Sequence, residues 1–247
     1  MKISVITVCY NSAATIEDTI KSVMEQTYDD IEYIIVDGNS KDATLHIINQ
    51  YENSITKWIS EPDNGLYDAM NKGIKLATGD IIGILNSDDL FCDCDAISKV
   101  MTIFNNDKKL DSVYADIYYV DQNNTNNIVR KWKSGLRKKF STGWHPAHPT
   151  FYVKKNIYDE YGYFDLSFKL ASDFEIMLRF LDRYNISTYY LAEPLIKMRL
   201  GGETNKSFKN IINQNLECIK AFKNNEVKVS TFLYPFKRLL PKFKQYL

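Results

Sequence analysis

The first 90 residues alternate between two hydrophobic periods, and every run that reads as a strand ends in polar residues. "KISVITV" (2–8), "IEYIIVD" (31–37), "TKWIS" (56–60) and "IIGIL" (81–85) are β-rich runs. Between them lie segments of helical spacing. Ile16, Ile20, Val23 and Met24 form the first, with Thr15 and Asp18 as its capping start. Ala43 to Tyr51 form the second, opened by Asp42. "GLYDAMNKGIKLATG" (65–79) forms the third, with Leu66, Met70, Ile74 and Ala77 on one face and Gly79 as its stop. Strand and helix in strict alternation require right-handed crossovers and a largely parallel sheet.

Open sheets of this kind bind ligands beyond the carboxyl ends of their strands. Four polar stretches converge on that edge: Thr7 to Asn11, Asp37 to Asp42, Glu61 to Gly65 and Asn86 to Asp89. In the last, Asp88 and Asp89 are adjacent carboxylates at the end of an apolar strand. Two anions side by side repel and resist leaving water. A hard divalent cation bridging to substrate phosphates would resolve that repulsion; a solvated turn or a helix cap near Asp93 is the plainer alternative. Asp37, about 30 residues after the first strand, can accept from a base N–H or a ribose hydroxyl. Neither G-x-G-x-x-G nor G-x-x-x-x-G-K-[ST] occurs, so no helix end grips a phosphate and a metal bridge becomes more necessary.

The second half is less regular. A helix over 94–104, a hairpin of strands over 112–121 and "NIVRKW", a helix over 171–184 and a strand over "STYYLAEPLIKMRLGG" are expected. Ile176, Met177, Phe180 and Leu181 give the 171–184 helix its buried face. Asp173, at its start, is a general base or a helix cap. His145 and His148, in "GWHPAHPT", are metal or phosphate ligands or structural residues, with His148 the candidate metal ligand.

Composition adds two constraints. Apolar content of 45% and charged content of 25% are those of a soluble globular chain, and no apolar run reaches the roughly 18 residues of a spanning helix. The N-terminal apolar run is too short for a signal peptide and reads as a strand. Cys9, Cys92, Cys94 and Cys218 form no C-x-x-C pair; Cys92-Asp-Cys94 could be a metal or redox pair, but reduced cytosolic thiols are expected. Charge is uneven: nine of 31 basic residues but only two of 31 acidic ones lie between Lys206 and Leu247. There Tyr234, Phe236, Leu239, Leu240 and Phe243 interleave with Lys237, Arg238, Lys242 and Lys244. Such a tail suits an interfacial anchor on anionic lipid, or a helix packed on the body; nucleic acid is not an expected partner. "RKWKSGLRKK" (130–139), with six basic residues and no acid, could face phosphate head groups or solvent.

Three blocks in order carry a family resemblance: "ISVITVCYNSAATIEDTIKSVMEQTYDDIEYIIVDGNSKDAT", "EPDNGLYDAMNKGIKLATGDIIGILNSDDL" and "GYFDLSFKLASDFEIMLRF". The chain resembles a family 2 glycosyltransferase over about residues 1–203, most closely the enzymes that extend O-antigen or capsule repeats. The resemblance implies a GT-A fold, an α/β Rossmann-like, mostly parallel sheet flanked by helices over 1–205, followed by the amphipathic helical tail over 206–247. It implies an inverting hexosyl transfer from a UDP-sugar to a hydroxyl of a lipid-linked glycan, with Mn²⁺ or Mg²⁺, at the inner face of the cell membrane. Thr7, Tyr10 and Asp37 would hold the nucleoside. Asp63 to Asn71 would line the donor pocket. Asp88 would meet the metal with Asp89 assisting, Asp173 would be the base, and Arg199 with "GGET" (201–204) would steady the diphosphate. Asn86 departs from the family's D-x-D motif, since it stands where relatives carry the first acid. The processive synthases' Q-x-x-R-W signature is absent, so single addition is expected. A sugar-phosphate nucleotidyltransferase would need the missing glycine loop; only Asn86 favours a non-catalytic binding module.

Overall fold

The computed structural model describes residues 1–201 and 208–243. The first half is built as its periodicity requires. β1 (Ile3–Cys9), β2 (Ile31–Asp37), β3 (Lys57–Ser60) and β4 (Ile81–Ile84) are connected through α1 (Ile16–Met24), α2 (Thr44–Gln50) and α3 (Leu66–Leu76). They pair in parallel in the order β3-β2-β1-β4. The register sets Cys9 opposite Asp37 and Asp37 opposite Ser60, which brings three strand ends level.

Beyond β4 the sheet is mixed. β5 (Asp89–Phe91), α4 (Ala96–Asn106), β6 (Ser112–Val120), β7 (Ile128–Trp132), β8 (Tyr152–Lys154), α5 (Lys155–Tyr161), α6 (Ser172–Leu178) and β9 (Thr188–Arg199) follow in chain order. β8 runs antiparallel between β4 and β6, β6 pairs in parallel with β9, and β9 carries β5 antiparallel at the far edge. β6 and β7 form the expected hairpin. A π-helical turn, Arg179–Arg183, prolongs α6.

Side chains on a strand alternate faces, so the sheet has a core on each side. Ile3, Val5, Tyr33 and Ile35 pack with α1, α2 and α4; Ile6, Val8, Ile34 and Val36 pack with α3, α5 and α6. α3 lies so close to β1 that a Cβ on Gly73 would collide with Ile6. Two tail helices, α7 (Phe208–Asn224) and α8 (Tyr234–Phe243), close the second layer. Cys218, Ala221, Phe222 and Tyr234 are buried in the same cluster as Phe174 of α6. α8 meets the loop after β7 so closely that a Cβ on Gly143 would overlap the Lys237 carbonyl.

Three local expectations are corrected. Leu66 is 50% exposed, because it is the first residue of α3 and stands at the mouth of the edge crevice. Gly79 does not stop α3, which ends at Leu76 with Ala77 extended; a Cβ on Gly79 would lie 2.7 Å from the Ser4 amide nitrogen, so close backbone approach explains the glycine. Thr15 precedes α1 but its side chain makes no cap; the Ser12 carbonyl accepts the Thr15 and Ile16 amides instead.

Candidate active site

The carboxyl ends of β1 to β4 form one edge, and cross-links tie their loops together. Ser12, after β1, bonds Ser87, after β4, at 2.9 Å, and the Asn11 amide donates to Ser40 Oγ at 2.8 Å. Asp37 is the knot of this edge. It is fully buried, and Ser40 N, Ser40 Oγ, Ser60 Oγ and Cys9 Sγ all donate to it, at 2.9, 2.5, 2.7 and 3.5 Å. Its carboxylate is therefore spent on joining three strand ends. Burial and the Asp37 charge push the Cys9 thiol far above its usual range, so Cys9 is an inert thiol.

Thr7 is likewise turned inward and accepts from the Tyr33 hydroxyl at 3.1 Å. Tyr10 and Asp63 do face the crevice. Tyr10 is 62% exposed, and a Cβ on Gly38 would lie 3.4 Å from its ring and 2.5 Å from Asp63 Oδ2. The missing Cβ of Gly38 lets the Tyr10 ring and the Asp63 carboxylate close in beside its backbone. Asn71 clasps Phe164 through both its amide groups, at 2.9 Å each, and so holds the 160s segment on α3.

The β4–β5 turn presents the acidic pair. The Asp89 amide donates to the Asn86 carbonyl, which makes the turn tight, and Asp89 begins β5 fully buried. Burial first, then the Asp88 charge, holds the Asp89 carboxyl well above the usual carboxylate range. Burial also raises Asp88, against the nearby Arg199 charge. Asn86 Nδ2 donates to Asp89 Oδ2 at 3.1 Å, yet Asn86 Oδ1 and Asp89 Oδ1 are buried acceptors without a donor. Buried acceptors are normally satisfied. Two orphaned oxygens beside the half-buried carboxylate of Asp88 fit a hard divalent cation, which takes oxygen ligands. Among the described residues, no three His, Cys, Asp or Glu side chains gather into one cage, so His148 does not join Asp88 and Asp89 as a third ligand. Arg199 is nearly buried at the far end of β9. It donates to the Asp88 carbonyl at 2.9 Å, to Asp18 at 2.5 Å and to the Gln122 carbonyl at 3.2 Å, so it braces the acidic turn from behind. Of its expected companions in "GGET", residues 202–204 lie outside the described residues.

A second chemical group stands apart from this pair. Asp173 lies inside α6, after the cap residue Ala171, so it is not the helix cap. Its Oδ1 accepts from the Phe174 amide at 2.8 Å and from the Tyr67 hydroxyl at 3.2 Å. Tyr67 belongs to the first turn of α3 and thus to the crevice edge; it stacks on Phe164 at 5.6 Å between ring centroids. Burial, then the Asp173 charge, raises the Tyr67 phenol well above its usual range, so it stays a donor. His148 meets the edge of Phe164, and burial lowers its pKa against the pull of Asp173. Here His148 is a neutral neighbour of the lone carboxylate. Tyr67 lay within the expected donor-lining segment, but its pairing with a residue 106 positions away left no mark in the sequence. His145 is turned elsewhere, edge-on to Trp132 and Phe174.

The chain is 31% identical over 179 residues to an uncharacterized glycosyltransferase of Mycobacterium tuberculosis, covering 72% of this chain and 68% of that protein. It is 27% identical over 194 residues to a PGL/p-HBAD biosynthesis glycosyltransferase of Mycobacterium bovis, covering 76% and 73%. In fold it is similar to S. aureus TarS in complex with UDP-GlcNAc (TM-score 0.68, 16% identity, 99% of this chain and 73% of that one). It is also similar to a mannosyltransferase of Pyrobaculum calidifontis in complex with GDP-Man and Mn²⁺ (TM-score 0.63, 15% identity, 98% and 74%). These two likenesses establish a GT-A-like α/β fold. Residues 4–170, from the first strand to the threshold of α6, match the family described as glycosyl transferase family 2, and with the mycobacterial kinship this shows that the chain belongs to that family.

Proposed function

We propose that the chain is a metal-dependent, inverting hexosyltransferase that moves one sugar from a UDP-sugar to a hydroxyl of a lipid-linked glycan during surface-polysaccharide assembly. One observation carries this reading: a single sheet edge holds a cation-fitting oxygen set, Asn86, Asp88 and Asp89, and, separately, one carboxylate, Asp173, hydrogen-bonded to Tyr67. Direct displacement at a sugar carbon needs those two things: charge compensation where the diphosphate leaves and a base on the opposite face.

Tyr10 stacks on the base of the nucleoside and Asp63 accepts from it, above Gly38. Asp88 and Asp89 would hold the divalent cation, and Asn86 Oδ1 would serve it or a ribose hydroxyl. When bound, that cation supplies positive charge to the departing diphosphate. Asp173 takes the proton of the acceptor hydroxyl, whose oxygen forms the new bond to C1 as the bond from C1 to the diphosphate oxygen breaks. Tyr67 aims the carboxylate. Thr7, Asp37, Asn71 and Arg199 act by holding the edge in shape. Complexes of similar folds with UDP-GlcNAc, and with GDP-Man and Mn²⁺, support this assignment.

The lipid-linked acceptor fits a surface on the 206–247 tail, whose described helices pack on the 1–205 catalytic unit. Phe232 and Phe236 are 77% and 60% exposed, Leu233 is half exposed, and Lys237 stands beside them. Exposed Leu136, Lys138 and Lys139 lie on the loop that α8 contacts. Apolar tips among lysines suit an anionic membrane surface, at the inner face of the cell membrane. Tyr234 and Arg238, expected to share in that contact, face the body instead: Tyr234 packs on Phe222, and Arg238 bonds Gln214 and Asn215. Side chains 239–243 and residue Lys244 lie outside what is described.

Calorimetric titration of UDP with and without Mn²⁺ tests the function, together with transfer by Asp173→Asn. Metal-enhanced UDP binding and a variant that binds donor but transfers nothing are expected. UDP binding indifferent to metal, or full transfer by the variant, would overturn the assignment.

A further inference from the structure

We propose that Glu217, on tail helix α7, is a positioning residue for Asp173: its carboxylate fixes the backbone that presents the base. The inference rests on the reading of Asp173 as base. The amides of Lys169, Leu170 and Ala171 precede α6 and have no partner within it. Glu217 takes all three: Oε1 accepts Lys169 N at 3.1 Å, and Oε2 accepts Leu170 N at 2.8 Å and Ala171 N at 2.9 Å. These are hydrogen bonds to a charged acceptor, about twice as strong as neutral ones. They end two residues before Asp173.

Neighbouring turns of α7 extend the grip to both sides of the base. Lys220 Nζ donates to Ser167 O at 3.1 Å and to Ser167 Oγ at 3.0 Å. Gln214 donates to the Leu170 carbonyl at 3.4 Å, and Asn225, the residue after α7, donates its Nδ2 to Glu175 Oε1 at 2.9 Å. Beneath this polar seam Phe222 meets Phe174 edge-on at 5.7 Å. The polar seam does something further: it bonds Ser167, Lys169, Leu170, Ala171 and Glu175, which flank Asp173 on both sides. α7 also lies outside residues 4–170, the part of the chain that matches the family. A misplacement of about 1 Å can cost on the order of 100-fold in rate, so a base on a short seven-residue helix gains from a clamp that the apolar contact alone does not supply.

The test is Glu217→Ala in the full chain. The rate is read as UDP release from the UDP-hexose that the wild-type chain turns over fastest. We expect kcat to fall at least about tenfold while KM for donor and the affinity for Mn²⁺ with UDP stay within about twofold. Amide hydrogen exchange should speed up at 169–171. A cavity of ≈ 390 Å³, lined by Lys169, Leu170, Asn210, Asn213, Leu216 and Glu217, opens on the seam; added formate should enter it and restore rate saturably. Glu217→Gln, which keeps the shape and loses the charge, should fall between the two and serves if the alanine variant does not fold. Unchanged kcat in a folded variant, an equal loss of UDP affinity, unaltered exchange at 169–171 or no formate rescue each overturns the proposal. Asp173→Asn separates the readings: full activity there overturns the base and its clamp together, whereas a dead Asp173→Asn beside a normal Glu217→Ala removes the clamp alone.

Discussion

Replacing Asn86 by aspartate restores the acid that the family motif carries, and the structure says what this does without metal. Asn86 Nδ2 lies 3.1 Å from Asp89 Oδ2 and donates to it. Asn86→Asp removes that donor and sets a carboxylate against a fully buried one. Two unit charges at that distance repel by about 5 kcal/mol at an effective dielectric of about 20. Proton uptake caps the cost: raising a carboxyl by about three units to stay neutral at pH 7 takes about 4 kcal/mol. The metal-free variant should therefore lose about 2–4 kcal/mol, a fall of about 4–16 °C in Tm for a chain of this size. Mn²⁺ should reverse it, because a third acidic oxygen now faces the cation; saturation at about 100 times Kd returns about 2.7 kcal/mol. The assay is a pair of thermal melts, in EDTA and in Mn²⁺ with UDP. The variant should melt lower than wild type in EDTA and gain more on adding metal. A variant as stable as wild type in EDTA, with no larger gain in Mn²⁺, would refute the claim that Asn86 and Asp89 face one cation.

Three further outcomes follow from the fold. Burial pushes the Glu32 carboxyl up, but Ser4, the Thr78 amide and hydroxyl, and Lys2 outweigh it and hold it below the usual range. The folded chain thus binds fewer protons there than the unfolded one, so this stability is present above the ordinary Glu pKa of about 4.3 and is lost as pH falls through the depressed value; Glu32→Gln should cost about 1–3 kcal/mol at pH 7 in urea titrations, with the gap narrowing in acid. Gly73→Ala should destabilise by about 1–3 kcal/mol in the same titrations, because its methyl would meet Ile6; a more stable variant contradicts the close α3–β1 packing. Joint Phe232→Ser and Phe236→Ser should abolish sedimentation with anionic vesicles at unchanged Tm, whereas buried Tyr234→Ala should cost about 3–5 kcal/mol; vesicle binding that survives the double change rejects the docking surface.

What the sequence shows and what it hides divide along a physical line. The parallel half of the sheet and its polar edge were legible because period and chirality act locally: Ile3 and Val5 against Ile6 and Val8 already assign two faces, and a βαβ path leaves few routes. Residue type also marked Asp88, Asp89 and Asp173. It did not show which lone pairs were spent. Asp37 is engaged by Ser60, 23 residues on, and Asn71 by the Phe164 backbone, 93 residues on, and only the assembled sheet reveals that neither is free. The tail shows the same limit. Tyr234 and Phe236 sit two positions apart in one amphipathic pattern, yet one is buried against Phe222 and the other faces out. Periodicity gives an apolar face without naming what covers it. Glu217 is the extreme case, since its partners are three backbone amides, and amides carry no residue identity for a motif to record. A side chain that acts on backbone is invisible to sequence reading in proportion to how directly it shapes the path of the chain, so in this fold the positioning residues are to be sought among the polar groups that face loops.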